Sequence, residues 1–258
     1  MNKALWISAT AMESQQTMTE TIANNMANVN TTGYKRGVAQ FQDLLYQTLA
    51  APGASTSDAE TPVGIQVGSG VRTVSVSKNF TQGALKNSSS ALDVAVEGAG
   101  FFEVALPDGS LAYTRTGSFH RNSTGQVVTA EGYQMVGFPT IDPAATGIDI
   151  SIDGTVSVTA DGTSNAAGRI QLTRFGNAEG LRNLGHNLYA ETDASGSAQR
   201  GNPAEDGLGG IAQYFLESSN VEIVREMVDM IASQRAYELN SKSIRTADEM
   251  LQMVANLK

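Results

Sequence analysis

With 258 residues, 41% of them hydrophobic, the chain is long enough for one large or two small packed domains. Its formal net charge of −9, with no basic cluster beyond Lys35-Arg36, excludes nucleic acid as a partner, because phosphate binding needs a cationic stripe. The absence of cysteine excludes disulfides, thiolate catalysis and cysteine metal sites, and no segment approaches the roughly 20 apolar residues that span a bilayer.

Leu5, Ala9, Met12, Thr19, Ile22, Met26 and Val29 step by threes, fours and one gap of seven, which predicts an amphipathic helix. Met1 to Thr21 contains no basic stretch followed by an apolar core and a small-residue cleavage site. The expectation is a protein that stays in the cytoplasm or leaves by a route that reads no cleavable signal. Asn24, Asn25, Asn28 and Asn30 then crowd one short stretch. Asparagine competes with the backbone for hydrogen bonds, so these side chains need partners. Two readings stand side by side. In one the helix ends here, with Asn30, Thr31, Thr32 and Gly33 as the stop and Lys35-Arg36 near the negative end of the dipole. In the other the amides of Asn24, Asn25 and Asn28 hydrogen-bond between packed subunits and fix their register. Gln40 to Gln47, with Phe41, Leu44 and Leu45 at helical spacing, reads as a short helix or an extended arm, and Ala51 to Pro62 as a linker.

From there the periodicity changes to alternation. Strands are predicted over Val71 to Val76, Leu92 to Glu97, Phe101 to Leu106, Leu111 to Thr114, Gln126 to Thr129, Ile170 to Phe175 and Leu188 to Glu191. Pro107-Asp108-Gly109 supplies one tight turn, and Asp153-Gly154 another, between alternating Ile148, Ile150, Ile152 and Val156, Val158. Asp193 to Gly207 is a second linker.

The last stretch, Ser218 to Lys258, holds no glycine or proline and predicts a long helix. Ile223, Met230, Tyr237, Ile244 and Leu251 recur every seven residues, the spacing of a seam facing a partner. Gln234, Ser241 and Asp248 at the alternate seam positions argue against a two-stranded zipper, and Val224, Val228, Ile231 and Leu239 fall outside the seam. Such a helix suits contact with several neighbours.

The predicted fold class is therefore α+β: paired long N- and C-terminal helices forming a coiled-coil-like inner domain, flanking a central antiparallel all-β domain. The boundaries are 1–35 with 218–258 for the helical domain, 36–92 with 208–217 for an extended connecting region with a β-hairpin, and 93–207 for the β domain. Residues suited to catalysis are not in evidence. His120 and His186 have no neighbours at metal-ligand spacing, Gly98-Ala99-Gly100 lacks the third glycine and helix of a dinucleotide site, and no carboxylate pair is set apart. No cofactor and no metal site are predicted, and the chain is not expected to be an enzyme.

Several long motifs, in order along nearly the whole chain, resemble one family. Ala23 to Arg36 resembles the N-terminal signature of the bacterial flagellar rod and hook family. Ser218-Ser219-Asn220-Val221 and the run Gln234 to Lys242 resemble its C-terminal signature, and Asp93 to Phe102 with Tyr113 to Phe119 its central β motifs. Leu5-Trp6, the run Phe41 to Gln47 and the length look most like the members that build the distal rod. The resemblance implies a structural subunit that polymerises helically around a central channel, a hollow drive shaft passing torque from motor to hook. It implies export through the type III apparatus without a cleaved signal. The implied partners are other copies of the chain, proximal rod proteins and hook protein at its ends, and the peptidoglycan-layer and outer-membrane bushing rings. Self-assembly would fall to Leu5, Met12, Ile22, Asn24, Asn25, Met26 and Asn28 on the first helix and to Ile223, Met230, Tyr237, Ile244 and Leu251 on the last. The alternatives are a proximal rod or hook protein of the same family, or a glycan-binding or peptidoglycan-active β module that uses its helices to oligomerise.

Overall fold

A computed structural model describes residues 3–50, 55–56, 59–60, 63–160 and 163–256. The chain divides into two compact units, one made of Met1–Met26, Gly37–Ser77 and Glu222–Lys258, the other of Ala27–Arg36 and Lys78–Val221.

In the first unit, helix α1 spans Lys3–Ala27 and helix α2 spans Ile223–Asn256. Straight-chain residues and alanine favour both helices. Along α1 the hydroxyls of Ser14, Thr19 and Thr21 bond back to the carbonyls of Thr10, Gln15 and Thr17, so these weaker helix formers are satisfied locally. The same unit carries strand Gly37–Asp43 beside Val71–Lys78, and Gln47–Ala50 antiparallel to Ile65–Val67. The stretch at Gln40 to Gln47 is thus extended, not helical. Within the predicted linker Ala51 to Pro62, residues 51–54, 57–58 and 61–62 lie outside the described residues, and Ser55–Thr56 pairs with Ala59–Glu60.

The predicted α+β class with a coiled-coil-like inner domain needs correction on two counts. One N-terminal and one C-terminal helix flank a mostly β chain, and the unit that holds the helices also holds strands, so helix and sheet are not segregated into separate domains. Nor do the helices meet along a heptad seam of large apolar residues. On α2 the buried side chains are Glu226, Ser233 and Ala247, while Ile223, Tyr237 and Leu251 are exposed. Small and polar residues bury too little apolar area to drive knobs-into-holes packing.

The second unit is built on a seven-stranded sheet in the order Phe119–Arg121, Val127–Thr129, Gln134–Val136, Phe102–Ala105, Leu111–Thr114, Leu188–Ala190, Arg182–Gly185, with every described pairing antiparallel. A three-stranded sheet, Gly147–Ile150, Thr155–Ala160 and Thr163–Arg169, packs its apolar face into the same core. Both predicted tight turns close hairpins: the Leu106 and Ser151 amides donate to the carbonyls of Ser110 and Thr155 at 2.9 and 3.0 Å. Alternation places Val94, Val96, Phe102, Phe119, Met135, Ile170, Leu172 and Ile211 in one buried cluster. A second cluster sets Phe101, Tyr113 and Tyr189 edge-on against Phe80 and Phe175. Strands without a sequence signal complete the unit: Gly210–Gln213 pairs with Val94–Glu97, and Phe215–Glu217 with Leu85–Asn87.

Gly117 marks a close crossing of backbones, where a Cβ would stand 1.5 Å from the Val94 carbonyl oxygen. At the hairpin tip, Gly109 has φ +82° but open space around it. Gly117→Ala is expected to cost at least about 3 kcal/mol, against about 1 kcal/mol for Gly109→Ala, in urea unfolding followed by tyrosine fluorescence.

Candidate assembly surface

Within the first unit, α1 and α2 touch through a line of small and polar side chains. The buried positions Glu226, Ser233 and Ala247, with half-buried Asn240 between them, repeat every seven residues on α2, three residues beyond the predicted seam. The Thr19 and Ser233 hydroxyls lie 2.9 Å apart, and Ser233 donates to the Gln15 carbonyl at 3.1 Å. Further along, Asn25 joins three elements. Its amide nitrogen donates to the Gly37 carbonyl at 2.9 Å and to the Glu226 carboxylate at 3.1 Å, and its amide oxygen accepts the Gly37 N–H at 2.7 Å. Asn25 therefore acts as a surrogate backbone group, capping the strand Gly37–Asp43 while fixing α1 against α2.

The predicted assembly residues fall on both sides of this line. Ile22 and Asn25 are buried; Leu5, Met12, Met26, Asn28, Met230 and Ile244 are half-buried; Asn24, Ile223, Tyr237 and Leu251 are exposed. Asn25 is thus engaged inside the chain, and the Asn28 side chain accepts from the Thr31 hydroxyl at 3.2 Å. Beyond the line, α2 presents Val224, Val228, Ile231 and Leu239 on its outer surface, Val224 being 75% and Val228 60% exposed. Among the described residues, every exposed large apolar side chain lies in this unit except Leu111, Ile152, Leu184 and Tyr214. A groove of about 390 Å³ runs between the helices, lined by Gln16, Thr19, Glu20, Gln234, Tyr237 and Glu238. Val224, Val228 and Ile231 recur at helical spacing, so their exposed side chains share one side of α2.

In the second unit the motif Thr31-Thr32-Gly33-Tyr34-Lys35-Arg36 folds around one carboxylate. Gly33 takes φ +70° and sits so close to Thr116 that a Cβ would stand 2.7 Å from its amide nitrogen. Its own N–H donates to the Glu217 carbonyl at 2.8 Å. The Thr32 carbonyl accepts from Thr116 and Asn187. Lys35, 1% exposed, sends its ammonium to the Glu217 carboxylate at 2.5 Å and to the Thr81 carbonyl at 2.8 Å. The same carboxylate accepts the Gly83 N–H at 2.9 Å and lies 3.6 Å from the buried Arg115 guanidinium. Burial lowers the pKa of Lys35 against the opposing pull of Glu217, and lowers that of Arg115 likewise. His120 and His186 stand exposed on a strand and at a hairpin turn.

Three family descriptions match the chain: "Flagella basal body rod protein" over residues 5–35, "Flagellar hook protein FlgE/F/G D1 domain" over 95–158, and "Flagellar basal body rod FlgEFG protein C-terminal" over 212–257. The chain is 46% identical over 260 residues to the flagellar basal-body rod protein FlgG of Buchnera aphidicola subsp. Schizaphis graminum, covering 100% of both. The chain belongs to the flagellar basal-body rod protein family. Caulobacter vibrioides offers a comparison within one organism: this rod-family chain is 46% identical to its FlgG, covering 99% of each, and 34% identical to its FlgF, covering 97% of this chain and 95% of that one.

Sequence reasoning about this rod-family chain singled out the asparagine cluster and the Lys35-Arg36 pair but missed Glu217 and Arg115. The Lys35–Glu217 contact spans 182 positions, and no local pattern sets Glu217 apart. A lysine whose folded pKa lies below the unfolded one binds fewer protons when folded, so stability should rise as the pH climbs from that lowered value towards the ordinary 10.5. Lys35→Met should remove this rise and leave stability near neutral pH within about 1 kcal/mol, because the lost ion pair is offset by the lost desolvation and Glu217 keeps the Gly83 N–H and Arg115. Glu217→Leu should cost about 3–5 kcal/mol, since it strands two buried cations. Urea unfolding of both variants between pH 7 and 10 measures the asymmetry.

Proposed function

We propose that this chain is a structural subunit of the bacterial flagellar basal body that polymerises helically into the distal rod, a hollow shaft passing torque from motor to hook. The observation that carries the reading is end-to-end identity of 46% to proteins named flagellar basal-body rod protein FlgG. The margin over FlgF supports the distal position within the rod. The exposed apolar face of α2 supports assembly as the purpose of the first unit, since neighbouring copies would cover Val224, Val228, Ile231 and Leu239. Tyr237, Ile223 and Leu251 are available to the same neighbours, with half-buried Met230 and Ile244 at the edge of the contact. Leu5, Met12, Asn24 and Met26 would meet copies along α1, while Ile22 and Asn25 hold the helices in place; Asn28 lies just past the end of that helix, where its side chain accepts from the Thr31 hydroxyl.

The role is mechanical, not catalytic. Its partners at the two ends would be proximal rod proteins and hook protein; the bushing rings would surround it, and the type III apparatus would deliver it. A shaft needs stiffness, and the second unit, with its buried apolar clusters, provides a body that folds before assembly.

Two measurements test this reading. Val228→Asp should leave monomer stability within about 0.5 kcal/mol, because the side chain already faces water, yet abolish filament formation in sedimentation and electron microscopy. Labelling the chain in purified basal bodies should place it in the distal rod; a position in the hook or proximal rod would sink the assignment.

A further inference from the structure

Gly98-Ala99-Gly100 lacks the pattern of a dinucleotide site, yet it walls a cavity of about 260 Å³ that lies wholly within the second unit. Gly98 at φ +114° and Gly100 at φ +138° hold backbone conformations that other residues rarely adopt. The run is pinned from two directions. The Gln82 amide oxygen accepts the Gly98 N–H at 2.9 Å, and the Ala99 carbonyl accepts the Gly209 N–H at 2.7 Å. Three aromatic rings line the same cavity, with Phe101 packed edge-on against Phe80 and Phe175. Two arginines complete it. Arg174 is exposed and held in place, donating to the Gln199 amide oxygen at 3.1 Å and to the Asp206 carbonyl at 2.7 Å. Arg115 is only 4% exposed, and its guanidinium lies 5.2 Å from the centre of the Phe101 ring.

The charge around Arg115 does not balance. Lys35 and Arg115 are both buried and share one buried carboxylate, Glu217, and among the described residues no second carboxylate pairs with either cation. One positive charge is left over. An arginine does not shed its proton, so the surplus stays with Arg115 even though burial lowers its pKa. Of its donors, Nη2 reaches the Gly98 carbonyl at 2.7 Å and Nη1 the Val96 carbonyl at a long 3.5 Å. The buried Nε–H has no hydrogen-bond partner among the described residues. A buried cation with a free donor, set in the wall of a cavity, is stabilised by an anion placed there. We propose that this cavity binds a carboxylate carried on an apolar body of aromatic size, with the rings of Phe80, Phe101 and Phe175 taking the body and Arg115 and Arg174 taking the charge. The planar guanidinium suits both oxygens of such a group. The volume sits just below the roughly 300–1,000 Å³ of pockets for larger ligands, which fits a single side chain with its carboxylate. The site goes beyond the rod reading and does not depend on assembly, because every residue that forms it belongs to the second unit.

The test titrates the full-length monomer with N-acetyl-phenylalanine, its neutral amide and acetate, followed by proton–nitrogen NMR. N-acetyl-phenylalanine should shift the Ala99, Gly100 and Phe101 amides and the Arg115 Nε–H signal saturably, with a Kd of about 1 mM. The neutral amide keeps the ring without the charge, and acetate keeps the charge without the ring. Each should bind at least about ten-fold more weakly. Arg174→Gln, at an exposed position, should weaken binding of the acid about ten-fold while leaving the midpoint of urea unfolding unchanged. Peptides ending in phenylalanine separate the two sources of such a carboxylate. Binding about ten-fold tighter than N-acetyl-phenylalanine assigns the site to a chain terminus, and equal binding assigns it to a free acid; both support the site. Absence of any shift at about 10 mM acid would overturn the proposal, as would equal affinity for the acid and its amide. So would saturable binding that leaves the Arg115 Nε–H signal unmoved. None of these outcomes touches the rod reading, which stands or falls on filament formation.

Discussion

One buried carboxylate fixes how the residue 27–36 segment packs within the second unit. Glu217 accepts from Lys35, from the Gly83 N–H and, through its backbone carbonyl, from the Gly33 N–H, with Arg115 alongside. Lysine, arginine and glutamate leave water only at a cost of several kcal/mol each, and that cost is tolerable in one arrangement alone. Any shift of the residue 27–36 segment against the strand Phe215–Glu217 would leave a charge without its counterpart. The network therefore fixes where that segment sits on the strand.

The two units handle polarity in opposite ways. The second follows the usual rule, with alternating strands turning valine, isoleucine and phenylalanine inward to a dry core and glycines where backbones cross. The first places serine, threonine, asparagine and glutamate between its helices and leaves valine, isoleucine, methionine and leucine on α2 facing outward. Read as an isolated domain this is inefficient, since the exposed stripe gains nothing from the hydrophobic effect. As one copy among many it is coherent. Polar contacts set where α1 lies on α2, and in the proposed polymer the apolar area would be covered by neighbouring copies.

Asn25 shows how the first unit uses a buried polar side chain. An asparagine inside a helix is a poor choice for helix stability alone. Here its amide takes both backbone groups of Gly37 and still donates to Glu226, so a helix, a strand and a second helix share one side chain. Replacing a backbone pairing by a side chain lets the strand begin against a helix, where no neighbouring strand could supply the ladder.

The amino-acid sequence by itself determined the two terminal helices, both tight hairpin turns, much of the strand set and the membership implied by the long terminal motifs. Each of these rests on local periodicity, turn chemistry or contiguous residues, which are legible one window at a time. It pointed to the asparagine cluster and to Lys35-Arg36, but left open whether their partners lay inside the chain or in another copy. Only the tertiary structure decided that Asn25 turns inward to Gly37 and Glu226, and that Lys35 is buried against a glutamate 182 positions away. It also moved the line of contact on α2 three residues along, from Ile223 and Tyr237 to Glu226 and Ser233. A seven-residue repeat is satisfied equally by either stripe. Which one turns inward depends on what the opposite helix and the strand Gly37–Asp43 can hydrogen-bond, and that information is distributed over segments the sequence keeps far apart.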